Sequence, residues 1–103
     1  MYGVIHSDGS GDNNPPLESL SGLYDELLTA DVEHGDVTVV HDDLGWYLSA
    51  HRDGRVILRR LKDQTDARHM LAIEKERVLD LWHRLIRGDL DNLLKEPWKP
   101  GYG

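Results

Sequence analysis

The sequence contains no cysteine, which excludes disulfide staples, thiol nucleophiles and cysteine-ligated zinc. It also contains no Lys or Arg before Arg52. Residues 1–51 carry ten acidic side chains and no basic one, whereas residues 52–103 carry 12 basic and 9 acidic. Because phosphate contacts are made by Lys and Arg, the first half is not a nucleic-acid surface. No stretch approaches the roughly 18 consecutive apolar residues of a membrane span. Met1-Tyr2-Gly3-Val4-Ile5-His6 has neither the basic region nor the apolar run of a signal peptide. No internal repeat is present, and Gly9 and Gly11 follow no run that reads convincingly as a strand, so no phosphate-cradling loop is expected. What is there is a single domain of 103 residues with a net charge of −7, expected in the cytoplasm. A chain of this size buries about 60–65% of its unfolded surface, enough for one modest core without staples.

The chain opens with residues 1–14, read as a flexible arm or loop because 6–14, HSDGSGDNN, is polar and rich in Gly, Asp and Asn. Pro15-Pro16 presets a helix start, with Asn14 as its cap. Leu17, Leu20, Leu23, Tyr24, Leu27 and Leu28 then fall on one side of a helix over about 16–30. Gly22 inside it costs about 1 kcal/mol relative to alanine. Its charges are misplaced: Asp25, Glu26 and Asp31 crowd the end where the helix dipole favours cations. A local rule broken in this way signals compensation from elsewhere, or function.

Over residues 36–61 the apolar period changes to two. The loop 42–45 would pair His41 with Trp46, Val39 with Leu48 and Val37 with Ala50. The next turn, Arg52-Asp53-Gly54, allows a two-residue or a bulged three-residue loop. The bulged register aligns Val56, Leu58 and Arg60 beside Trp46, Leu48 and Ala50; the other mixes Arg59 into that face. One face is then Val37, Val39, His41, Trp46, Leu48, Ala50, Val56 and Leu58, the core face. The other is Thr38, Val40, Tyr47, Ser49, His51, Arg55, Ile57 and Arg59, apolar at its centre with a polar and basic edge, which is how a binding patch is built. Residues 68–73 read as a fourth, edge strand. Glu74 opens a helix with Val78, Leu81, Trp82, Leu85 and Ile86 on one side, stopped by Gly88. A short helical turn through Leu90, Leu93 and Leu94 precedes an extended tail, 97–103. The expected class is α+β: an N-terminal helix, a three- to four-stranded antiparallel meander, and a C-terminal helix with a short turn and tail.

No constellation carries chemistry on its own. Asp8-x-Ser10-x-Asp12 opens like a calcium loop, but the glycine and glutamate such a loop needs are Asn13 and Ser19 here. His41 and His51 fall on opposite sheet faces, so they do not converge on one ion. Ser49 and His51 lie side by side on one strand with no nucleophile elbow around them. Neither a catalytic nor a metal-ligating residue is therefore assigned, and no cofactor is expected. Arg52, Arg55, Arg59, Arg60 and Lys62 cluster about the third strand; the favoured reading is that they answer the surplus acids of the first half, those at the end of the first helix being one candidate set.

The acidic helix, the meander around GWYLSAHRDGRVILRRL, the tryptophan-bearing helix and the W-K-P-G-Y ending together resemble the small acidic α+β proteins that bacteria encode as immunity partners of toxins. The resemblance is one of size, charge and layout. It implies a non-catalytic module with a protein partner, often a basic nuclease, without nucleic-acid or membrane binding of its own. On this reading the partner surface is Val40, Tyr47, Ile57, His51 and Arg59, with Asp25, Glu26, Asp42 and Asp43 steering a basic toxin. The alternative is a self-associating structural or regulatory protein, a homodimer packed through Val40, Tyr47 and Ile57; a small hydrolase-like enzyme comes third.

Overall fold

The computed structural model describes residues 2–29, 35–62 and 66–102. In chain order the elements are β1 (Tyr2–Ile5), β2 (Gly11–Asn13), α1 (Ser19–Thr29), β3 (Asp36–His41), β4 (Trp46–His51), β5 (Val56–Arg60), β6 (Arg68–Met70), α2 (Lys75–Ile86), α3 (Leu90–Leu94) and β7 (Lys99–Pro100). The strands form one sheet in the order β2-β1-β3-β4-β5-β6-β7, every pair antiparallel.

The central meander has the register expected from the turns. His41 pairs with Trp46, Val39 with Leu48 and Val37 with Ala50; Ala50 pairs with Val56, Leu48 with Leu58 and Trp46 with Arg60. The bulged turn is present: the His51 N–H donates to the Arg55 carbonyl at 2.8 Å and the Gly54 N–H to the His51 carbonyl at 3.1 Å. Gly54 is held there by two constraints. Its φ is +89°, and a Cβ would sit 3.2 Å from the Ala72 Cα, so a side chain is excluded by backbone conformation and by space.

Three expectations are corrected. Residues 2–13 are not a loose arm but a hairpin, β1–β2, added to the sheet by pairing β1 with β3. The Asp8-Gly9 turn closes it, with the His6 N–H donating to the Ser10 carbonyl at 2.7 Å. Asn14 does not cap a helix: its side chain accepts from the Tyr2 N–H and its own N–H donates to the Tyr2 carbonyl, extending the hairpin, and α1 begins only at Ser19. Finally, β6 is shorter than 68–73 and is not an edge, because two residues of the tail, Lys99 and Pro100, pair with it. The expected helix end at residue 30 lies outside the described residues.

One face of the sheet carries the core. Val4, Val37, Val39, Trp46, Leu48, Ala50, Val56, Leu58 and Met70 pack with Leu20, Leu23 and Leu27 of α1, Val78, Leu81, Trp82 and Leu85 of α2, and Leu93 of α3. Each such side chain removed from water contributes about 1.5–3 kcal/mol before entropy is subtracted. Trp82 is fully buried and satisfies its indole by donating from Nε1 to the Leu48 carbonyl at 3.1 Å, with Tyr24 edge-on at 6.5 Å. α2 stops at Gly88 through a Schellman motif: the Gly88 N–H donates to Leu85 and the Asp89 N–H to Arg84, with Gly88 at φ +77°.

The misplaced charges of α1 are answered by its neighbours. Lys75 at the start of α2 donates to Asp25 at 2.8 Å. Glu26 is held by His6 at 2.6 Å and by the Ser7 backbone N–H at 3.1 Å. For Asp25 and Glu26 the compensation inferred from the broken dipole rule thus includes α2 and the β1–β2 turn; Asp31 lies outside the described residues.

Candidate functional site: the open face of the sheet

Strand alternation sends every second residue to the face away from the helices. Register assembles those residues into two rows. One runs Gly3, Val40, Tyr47, Arg59; the next runs Ile5, Thr38, Ser49, Ile57, His69, Lys99. His51 stands opposite Asp36 beyond them. The apolar cluster that holds the helices includes none of these residues, so no described helix covers this face.

Burial on this face comes from its own side chains. Ile57 is only 5% exposed, between Ser49 and His69 in the ladder. Thr38 and Ser49 are buried and hydrogen-bonded to each other at 2.8 Å, which satisfies two hydroxyls that would otherwise be costly to bury. The Arg59 guanidinium lies 4.4 Å from the Tyr47 ring centroid and 5.3 Å from that of Tyr102. Long cationic stems lying flat over apolar groups shield them while the charge stays near water. The tail completes this shield: Arg55 donates to the Tyr102 carbonyl at 3.1 Å, Arg59 to the Tyr102 hydroxyl at 3.3 Å, and a ring nitrogen of His69 bonds the Gly101 carbonyl at 3.0 Å.

Titration follows from these surroundings. Burial, and then the Arg55 charge, lowers the His51 pKa, so this histidine favours its neutral form. Burial raises the Tyr47 pKa, partly offset by Arg59. On the helix side, His6 is the opposite case. Its Nε2 meets Asp12 at 2.5 Å and its Nδ1 meets Glu26 at 2.6 Å, and these hydrogen bonds raise its pKa. His6, Asp12 and Glu26 line a cleft of about 680 Å³ between the β1–β2 hairpin and α1. The Ser7 hydroxyl there bonds Glu26, and both His6 nitrogens are engaged by carboxylates, so the cluster holds no Ser–His pair. Among the described residues no group of three or more His, Asp or Glu is arranged to hold a metal.

Of the residues expected at a partner surface, Val40, Tyr47, Ile57, His51 and Arg59 share this open face. Asp42 and Asp43 lie exposed in the β3–β4 turn at its end. Asp25 and Glu26 are not with them: they sit on α1, on the helix side, engaged by Lys75 and His6. Sequence reasoning missed Ile5 and His69. An Asp-Gly turn preceded by Val4-Ile5 was the available signal for the first; the tail's return to β6 leaves no local signature.

No protein-family model matches the chain, and no curated protein or solved structure matches it. What the face does must be argued from its own chemistry.

Proposed function

We propose that the protein is a non-catalytic protein-binding module of the toxin-neutralising immunity kind, acting in the cytoplasm, with the open sheet face as its partner surface. The observation that carries this reading is a sheet sealed by helices on one side and, on the other, faced by half-buried Val40 and Tyr47 beside 42%-exposed Ile5, rimmed by polar and basic groups. An apolar centre with a polar rim is the anatomy of an interface. Glu18, Asp36, Asp42 and Asp43 remain exposed and acidic, and they would steer a basic toxin towards the module. Co-expression with a toxin encoded beside it tests the proposal: protection and complex formation are expected, and failure of both removes it. Tyr47→Ala should weaken that complex while costing about 1 kcal/mol of stability, the scale of its cation–π contact.

The self-association reading is favoured by one feature. Gly3 and Gly11 present no side chain beside Val40 and Ile5, with Asn13 the polar neighbour at this end of the face, so a second sheet can approach Val40 and Ile5 closely. Light scattering over a range of concentrations decides it: a strict monomer removes the homodimer.

A further inference from the structure

Arg55 and Arg59 stand out on the open face because their guanidiniums meet no carboxylate among the described residues. Among the described residues neither guanidinium forms an ion pair, although His6, Arg68, Lys75, Arg77 and Arg84 all do. The nearest carboxylate in sequence, Asp53, accepts from the Arg55 backbone N–H instead. The Nε atoms of both arginines are buried and have no hydrogen-bond partner, a costly condition for a charged donor group. The neighbouring ring on this strand ladder, His51, favours its neutral form, so it does not crowd an incoming anion with a third full charge.

What occupies the two guanidiniums is peptide in form. The carbonyl and the hydroxyl of Tyr102 each accept from one of them, and its ring stacks on Arg59. This tail is held by a two-residue β7, by the Gly101 N–H donating to the Ala67 carbonyl at 2.9 Å and by these contacts, while Gly101 and Tyr102 stay exposed to an incoming segment. A neutral carbonyl is a weak partner for a guanidinium; a carboxylate makes shorter, charge-assisted and bidentate bonds. Resting on the docking proposal above, we propose that Arg55 and Arg59 form a subsite for a carboxylate-bearing segment of a protein partner, and that the tail at Tyr102 is a strap this segment displaces. The occupant is a peptide and not a nucleic acid because what Arg55 and Arg59 already engage is a peptide carbonyl and a tyrosine side chain.

The test is titration of the full chain at low salt with N-acetylated hexaglutamate, followed by amide chemical shifts. Saturable binding centred on β5 is expected. Arg55→Ala/Arg59→Ala should weaken it about tenfold or more, as lost charge-assisted bonds do, and Arg59→Lys should also weaken it, because the planar fork is lost while the charge stays. Tyr102→Ala should tighten binding, a gain that misfolding would not produce. The proposal is overturned if hexaglutamate does not bind, if the arginine variants bind it unchanged, if Tyr102→Ala weakens it, or if inorganic phosphate binds β5 equally well. Loss of hexaglutamate binding while Tyr47→Ala still disrupts the toxin complex would sink the subsite and leave the docking reading standing. Arginine-dependent hexaglutamate binding with a toxin complex indifferent to Tyr47→Ala would do the reverse.

Discussion

The two faces of this sheet bury side chains by different means. On the helix side Val37, Val39, Leu48 and Leu58 are fully buried beneath α1 and α2, and the buried Trp82 indole is matched to a carbonyl. On the open side Ile57 reaches nearly the same burial, but its cover is a layer of arginine, tyrosine and histidine side chains and a short tail. The first arrangement is a packed core in which each methylene counts. The second is a shield that can be rearranged, which is what a surface awaiting a partner requires.

That contrast is open to attack by mutation. Trp82→Ala should remove about 3–5 kcal/mol, measured by urea denaturation, since it empties the largest fully buried side chain. A loss near 1 kcal/mol would mean that the helix layer is loosely packed. Leu58 and Ile57 are neighbours on β5 that point to opposite faces, so they form the sharpest pair. Leu58→Ala should cost about 2–5 kcal/mol, whereas Ile57→Ala should fall below it, at about 1–2 kcal/mol, because flexible arginine stems can settle into the space. Equal costs would erase the distinction between the two faces.

Two histidines report the same contrast as pH dependence, with opposite sign. The folded-state pKa of His6 is raised above 6.5, so its contribution is fully present below about pH 6.5 and fades as pH rises through the folded value. The folded-state pKa of His51 is lowered, so its contribution is present above about pH 6.5 and fades as pH falls through the folded value. Stability of His6→Gln should lose the decline that sets in as pH rises above about 6.5, and that of His51→Gln the decline that sets in as pH falls below it. Matched pH profiles for the two variants would contradict the assigned surroundings.

Legibility in sequence tracked the range of the interactions. The meander register followed from loop lengths and period-two patterning, both local, and so did α2 with its Gly88 stop. The misplaced acids Asp25 and Glu26 correctly signalled compensation, yet which groups supply it was hidden, because Lys75 is 50 positions from Asp25 and His6 reaches Glu26 only once the hairpin forms. The β1–β2 hairpin was missed for a physical reason: β2, Gly-Asp-Asn, is wholly exposed and carries no apolar pattern to read. That Lys75 and His6 are the groups that meet Asp25 and Glu26 is beyond the reach of sequence, since both contacts are long-range. Val40, Tyr47 and Ile57 did prove to share a face, since strand alternation alone decides that; the closing of that face by Tyr102 depends on a contact 43 residues from Arg59.

The central claim is that no described helix covers the face bearing Val40, and it is tested most directly by placing a carboxylate on each side of one strand. Val39, fully buried, and Val40, its neighbour on β3, are replaced in turn by glutamate, and unfolding is followed by urea denaturation. The account predicts that Val40→Glu unfolds cooperatively within about 1 kcal/mol of the parent, while Val39→Glu, burying an unpaired charge, fails to fold or loses most of its stability. Equal damage from the two substitutions would contradict it, because the Val40 face would then be as sealed as the core.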